Sequence, residues 1–90
     1  MLQRRMAINN RLGLHARAAA RLVRTVSRFQ SSVRLERADG SAAADAKSIL
    51  SVLLLAASRG TELLLTIDGA DEQEALAAVC EQFECGFGEE

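Results

Sequence analysis

The residues with the clearest chemical potential lie where a loop leads into a predicted helix. His15, the only histidine, directly follows Leu12-Gly13-Leu14, and Arg17 lies two residues further on. The first backbone N–H groups of a helix have no intrahelical partner, and the helix dipole there favours negative charge. An imidazole nitrogen at this point could carry a phosphoryl group held by those N–H groups and by Arg17. The alternative is an ordinary capping or surface histidine.

Other catalytic chemistry finds little support in the sequence. No paired carboxylates lie near His15 along the chain, and a thiol nucleophile at Cys80 or Cys85 would need the same histidine as its base. The spacing of these three residues matches no zinc motif. Phosphoryl transfer needs mainly positioning and charge stabilisation. A phosphoryl group carried on His15 would therefore require neither a metal nor a cofactor, and these residues do not favour a turnover enzyme.

Charge is distributed unevenly along the sequence. Residues 1–37 hold nine arginines and one glutamate, whereas residues 38–90 hold Lys47 and Arg59 with eleven acidic residues. Four of the arginines share one face of the predicted helix: Arg17, Arg21, Arg24 and Arg28. This face favours an acidic or phosphorylated partner, although it could also be solvated or paired with the acidic second half. The lack of Tyr and Trp for base stacking argues against nucleic acid.

Apolar periodicity and turn residues predict seven regular elements. We expect strands at 2–8, 33–37, a short stretch through Ala44, and 62–68, with helices at 15–27, 47–57 and 71–84. Asp39-Gly40 predicts a hairpin, and Gly60 is expected to terminate the second helix. The last helix is expected to bury four residues: Leu76, Val79, Cys80 and Phe83.

The element order β-α-β-β-α-β-α predicts a single α+β domain over residues 1–90. Three helices are expected to cover one face of a four-stranded antiparallel sheet. The other face is expected to be partly solvated, with Arg4, Arg34 and Glu36 on it. No apolar run approaches the roughly 20 residues that a membrane span needs. With no signal-peptide pattern and two cysteines expected to be reduced thiols, we expect a cytoplasmic protein without membrane insertion.

Two segments resemble the signatures of the HPr family, the phosphocarriers of the bacterial phosphoenolpyruvate-dependent phosphotransferase system. Residues 10–19 are similar to the active-site segment, whose pattern is close to Gly-Leu-His-Ala-Arg-Pro-Ala. Residues 46–52 resemble the second signature, and similarity continues through Arg59-Gly60-Thr61 over essentially the whole chain. Ala18 stands where the family usually has Pro, which presets a helix start. Because Ala is an excellent helix former, we expect the helix to survive with a looser start.

The resemblance implies an open-faced β-sandwich and assigns roles by position. His15 would be phosphorylated at Nδ1 by Enzyme I, with Arg17 as its charged helper, and an EIIA-type protein would be the acceptor. Ser48 matches a serine that a dedicated HPr serine kinase phosphorylates in some members. Its alternative role is to cap the second helix. A non-catalytic regulatory binding protein on the same scaffold is the alternative function.

The resemblance also implies a docking surface around His15. The residues expected to bind partners are Leu14, Ala16, Ala20, Arg21, Arg24, Leu50 and Leu53. For Leu50 and Leu53 the alternative is burial in the core, since the second helix has more apolar residues than one face can bury. A carrier needs this face accessible, so we expect a monomer. The Asn-Arg-Leu-Gly start and the Phe-Glu-Cys-Gly-Phe-Gly-Glu-Glu tail look like the nitrogen branch of the family, NPr.

Overall fold

A four-stranded antiparallel sheet forms one layer of the protein. The computed structural model describes residues 1–88. Its strands are β1 (Leu2–Ala7), β2 (Ser32–Arg37), β3 (Ala43–Asp45) and β4 (Glu62–Asp68), arranged in the order β1-β4-β2-β3. All three neighbouring pairs are antiparallel. The predicted sheet is confirmed, and the bounds of β4 are those expected from its alternation.

Three helices form the second layer. They are α1 (Ala16–Val26), α2 (Ile49–Leu54) and α3 (Glu72–Glu84), and a 3₁₀ turn at Gly86–Gly88, here called the C-terminal turn, follows α3. Val26, Val52 and Val79, one from each helix, are fully buried in the same core cluster as the inner residues of the strands. All three helices therefore cover one face of the sheet, as predicted.

Strict alternation along β4 explains why one face is apolar. Leu63, Leu65 and Ile67 are each fully buried, and Leu65 and Ile67 pair in register with the buried Leu35 and Val33 of β2. Because strand side chains alternate between faces, the residues between them point to the uncovered side. Burial of each such aliphatic side chain stabilises the fold by about 1.5–3 kcal/mol.

The second helix is shorter than predicted. It ends at Leu54 and not at Ala57, and Gly60 is not its terminator. The chain leaves the helix at Ala56, which adopts a left-handed conformation with a φ of 51°. Arg37 satisfies the carbonyl groups that the ending helix leaves, since its Nη1 donates to Leu55 O at 2.9 Å and to Ala56 O at 3.3 Å. An apolar run alone could not reveal this tertiary cap.

Arg4 does not lie on the uncovered face, contrary to the sequence-based expectation. It pairs in register with the buried Leu65, so its side chain leaves on the helical side at the sheet edge. There its Nη1 lies 3.7 Å from Cys80 Sγ. Arg5 occupies the uncovered face instead, with its Nε 3.3 Å from Glu62 Oε1. Arg34 pairs with Thr66 on that same face, as predicted.

The buried stripe of α3 also differs from the prediction. Ala75, Val79 and Phe83 are buried, whereas Leu76 and Cys80 are only half-buried. The C-terminal turn was not predicted, yet its Phe87 is buried and packs edge-on against Phe83 with ring centroids 5.0 Å apart. This pair extends the core beyond the end of α3.

A carboxylate clasp joins the start of α3 to the segment before β2. Asp71 accepts hydrogen bonds from the Ser31 hydroxyl at 2.5 Å, from the Gln30 amide at 2.9 Å and from the Ser31 amide at 2.9 Å. The Ser31 hydroxyl, followed by the Gln30 amide, lowers the pKa of Asp71 from its ordinary value. The clasp therefore stabilises the fold more strongly when Asp71 is ionised than when it is protonated.

Replacing Asp71 by Asn is expected to lower the thermal stability of the protein at neutral pH. A carboxyl whose folded pKa is depressed contributes stability above its unfolded pKa, near 3.8, and loses it as the pH falls through the lower folded pKa. The melting temperature of Asp71→Asn should therefore fall less than that of the wild type on acidification. Glu74→Gln, on the exposed side of α3, is the matched control. Parallel pH profiles of Asp71→Asn and the wild type would contradict the clasp.

Candidate functional site

His15 is the N-cap residue of α1. The helix was predicted to begin at His15, but it begins one residue later, at Ala16. Its backbone is extended, with φ −74° and ψ 179°, and its carbonyl accepts the first helical hydrogen bond from Ala19 N at 2.8 Å. Its ring Nδ1 accepts from the amide of Arg17 at 3.2 Å. The lone pair of Nδ1 is thus directed at the amino end of the helix, where the dipole favours negative charge.

The loop before His15 is held by the segment that follows α2. Leu14 N donates to Ala57 O at 2.9 Å. Gly13 has a φ of +67°, and a Cβ there would collide with the same Ala57 carbonyl. Only glycine combines this backbone conformation with such a close approach. Gly13 was predicted only as part of a loop. Its conformation fixes the direction from which the chain enters the helix.

The first turn of α1 supplies donors for an anion. Within residues 1–88, the amides of Ala16 and Ala18 donate to no acceptor, and the Arg17 side chain is exposed. Ala18 itself is buried, and the helix forms without the proline usual in the family. A phosphoryl group on Nδ1 would therefore meet a backbone N–H, with the guanidinium in reach of its oxygens.

Three arginines of the predicted stripe, Arg17, Arg21 and Arg24, are exposed on α1, and Arg28 is exposed in the turn just after the helix. No ion pair joins any of the four to a carboxylate in the part of the chain that the structure describes. Arg28, at the far end, lies over the Phe29 ring with its Cζ 5.7 Å from the centroid. The Arg21 guanidinium lies against Gly88 of the C-terminal turn. The charges of the stripe are therefore exposed at the surface of the described structure.

The apolar residues of α2 divide between core and surface. Leu50 is 67% exposed, whereas Leu53 is half-buried and packs against the core. Sequence reasoning missed Leu54, which is 71% exposed, and Ile49, which is 45% exposed. Leu54 lies four residues after Leu50, so helical spacing could have placed both on one face. Ile49, Leu50 and Leu54 are here called the α2 patch.

The remaining predicted docking residues lie near His15 and differ in exposure. Ala16 is exposed and Ala20 is half-buried. Leu14 is only 5% exposed, so its side chain lies in the core, and its predicted role in partner binding stays a prediction. Leu14 is drawn into the core because its amide is bonded to the segment after α2. Leu12, which was not predicted, is 61% exposed and lines a shallow depression with His15 and Ala56.

Ser48 is the N-cap of α2. Its Oγ accepts a hydrogen bond from Ser51 N at 3.3 Å, and the residue is half-buried. The capping role considered from the sequence is therefore present in the structure.

No helix among the described residues is long and apolar enough to cross a membrane. Residues 1–88 also contain no group of three His, Cys, Asp or Glu side chains placed to hold a metal ion.

The fold and the site together define a class: a small open-faced sheet domain with one histidine whose ring faces a helix amino end. A family model described as the PTS HPr component phosphorylation site matches residues 2–84. The phosphocarrier protein HPr of Xylella fastidiosa (strain Temecula1) is 48% identical, with 100% of this chain and 99% of that protein covered. The chain therefore belongs to the HPr family of phosphocarrier proteins, which are not turnover enzymes.

Proteins named HPr and proteins named NPr are both similar to the chain. The phosphocarrier protein NPr of Proteus mirabilis is 42% identical, with 97% of this chain and 96% of that protein covered. The crystal structure of HPr-C-His from Thermoanaerobacter tengcongensis has a TM-score of 0.92 at 39% identity and covers 100% of this chain and 99% of its own. The predicted fold is confirmed. The higher identity to a protein named HPr leaves the NPr branch a prediction.

Proposed function

We propose that His15 is the phosphoryl acceptor of this carrier, taking the group at Nδ1 from phosphorylated Enzyme I and passing it to an EIIA-type protein. The observation that carries the proposal is the 3.2 Å contact between Nδ1 and the amide of Arg17. It directs the nucleophilic lone pair into the anion-favouring end of α1. The family membership supplies the class of partner, and the geometry supports this ring nitrogen.

The transfer needs few groups because the chemistry is mainly positioning. The Nδ1 lone pair forms a bond to phosphorus while the bond from phosphorus to the donor breaks, and the donor keeps that electron pair. The Arg17 amide, released from Nδ1, then donates to a phosphoryl oxygen, and the guanidinium balances the added charge. The reverse sequence delivers the group to the acceptor, so the protein is regenerated without net change.

Partner docking is assigned to the surface around this site. The proposed docking residues are Ala16, Ala20, Arg21, Arg24, the exposed α2 patch and, at its edge, Leu53. Exposed apolar side chains beside exposed arginines suit a partner with an apolar centre and an acidic rim. We also propose that the protein is cytoplasmic and that residues 1–90 form a single domain. We propose a monomer because both partners must reach this one face in turn.

The test is phosphorylation of the purified protein by phosphoenolpyruvate and Enzyme I from the sugar and the nitrogen branch in parallel. We expect intact mass at neutral pH to show one acid-labile phosphoryl group, and the faster Enzyme I identifies the branch. The purified EIIA proteins of each branch should then remove it. A folded protein that neither Enzyme I phosphorylates would contradict the proposal and leave the binding-only regulator.

Replacing Leu50 by Asp is expected to raise the half-saturating concentration for Enzyme I on the order of tenfold. A carboxylate in the α2 patch would be desolvated on docking and would remove apolar contact, whereas the chemistry at His15 is untouched. Initial rates over a concentration series measure the effect. Ala43→Asp, an equally charged change at an exposed position of β3, is the control. Equal half-saturation for both variants would exclude the patch from docking.

Ser48 is proposed as a regulatory phosphorylation site for a serine kinase. The support is its position at the start of α2, next to the patch. A phosphate there would add about two negative charges beside Leu50 and disfavour docking of an acidic partner. The proposal is separate from the carrier function, since His15 transfer does not require it.

A further inference from the structure

We infer that Asn10 is a positioning residue for phosphoryl transfer at His15, an inference that rests on the function proposed for that histidine. Asn10 is only 4% exposed, although its neighbours Asn9, Arg11 and Leu12 are exposed. Burial of a carboxamide is unfavourable unless it forms hydrogen bonds. A buried asparagine between exposed neighbours in this loop therefore indicates a specific structural task.

Two hydrogen bonds between Asn10 and Gly13 close the loop into a tight turn. The side-chain Nδ2 donates to Gly13 O at 2.8 Å, and Gly13 N donates to Asn10 O at 3.2 Å. The next amide, that of Leu14, donates to Ala57 O at 2.9 Å. The peptide unit between Gly13 and Leu14 is consequently fixed at its carbonyl by Asn10 and at its nitrogen by Ala57.

Only the Leu14–His15 peptide separates this peptide unit from the reactive residue. Rotation of the Gly13–Leu14 peptide would turn the chain at His15 and change the distance from Nδ1 to the Arg17 amide. A displacement of about 1 Å at a reacting group can lower a rate by about 10²-fold. The Asn10 side chain thus acts on the transfer through backbone geometry, without contact to the phosphoryl group.

The C-terminal turn packs beside Asn10. Gly86 is buried, and a Cβ added to it would lie 3.4 Å from Asn10 Cβ. Phe87, the next residue, is anchored in the core by its edge contact with Phe83. The C-terminal turn, which is part of the tail that resembles the nitrogen branch, therefore lies against Asn10 at its Cβ and helps to hold the residue in place.

The test compares Asn10→Ala with Val79→Ala, a core change in α3 that should lower stability without touching the loop. Single-turnover transfer from phosphorylated Enzyme I is measured over a concentration series at a temperature where both variants are folded. For Asn10→Ala we expect the saturating rate constant to fall about tenfold, with half-saturation within about twofold of wild type. Val79→Ala should retain both values. The Arg17 amide resonance should shift in Asn10→Ala only.

The outcomes separate this inference from the proposed function. A wild-type protein that is not phosphorylated on His15 would overturn both. A phosphorylated wild type with Asn10→Ala equal to Val79→Ala would overturn the positioning role alone, as would a change confined to half-saturation. Asn10→Asp keeps the side-chain shape but has no donor for Gly13 O when ionised. It should show the same loss of rate and serves if the alanine variant does not fold.

Discussion

Replacing His15 by Asn should abolish phosphorylation while leaving the protein folded. Asparagine is among the strongest N-cap residues, and its side-chain oxygen can accept from the Arg17 amide as Nδ1 does. The cap is therefore retained, and only the nucleophile is lost. Intact mass after incubation with phosphoenolpyruvate and Enzyme I should show no added phosphoryl group, against one in the wild type.

His15→Ala provides the complementary measurement. It removes both the nucleophile and the cap, so it should match the asparagine variant in phosphorylation but unfold more easily by about 0.5–2 kcal/mol. Thermal melts of the three proteins separate the two effects. Retention of an acid-labile phosphoryl group in either variant would mean that another residue is the acceptor. A large loss of stability in His15→Asn would show that the ring packs into the fold beyond its capping role.

Those parts of the fold that depend on local pattern were predictable from the sequence. The alternation of β4 gave its bounds because every second residue is buried against the helices. Asp39-Gly40 marked the hairpin, and Gly40 indeed has a positive φ of 78°. The end of α2 was not predictable in this way. It depends on Arg37, which is distant in sequence, and on Ala56 adopting a conformation that its side chain disfavours.

The residues of the candidate site also fall into those that local sequence predicts and those that depend on tertiary packing. The identity of His15 and Arg17 as candidates followed from their types and spacing at a helix start. The exposure of Leu54 and the burial of Leu14 depend on how α2 and its following segment pack, which periodicity does not give. Asn10 lay within the segment that resembles the active-site signature, but its residue type and loop position assigned it no role. Its importance appears only when its carboxamide is seen to be buried against Gly13.

Replacing Arg17 by Ala is expected to lower the rate constant of phosphoryl transfer by about 10²-fold. The Arg17 guanidinium is proposed to balance the charge of the phosphoryl oxygens, and the variant loses it. The backbone amide of residue 17 remains in the variant. Arg17→Lys keeps the charge but loses the planar fork that binds two oxygens, so an intermediate rate is expected. Single-turnover transfer at saturating phosphorylated Enzyme I measures both variants.

Arg28→Ala is the matched control because it makes the same change of charge at an exposed arginine just beyond the end of α1. The nine helical steps from Arg17 to Val26 already span about 14 Å, and the Arg28 side chain packs on Phe29. Simple loss of electrostatic attraction to an acidic partner would raise the half-saturating concentration of Enzyme I similarly for both variants, and this effect would weaken with added salt. A specific role at the phosphoryl group predicts a loss of the saturating rate constant that is confined to Arg17→Ala and persists at high salt. An unchanged saturating rate constant in Arg17→Ala, with half-saturation raised as in Arg28→Ala, would reassign Arg17 from transfer to docking.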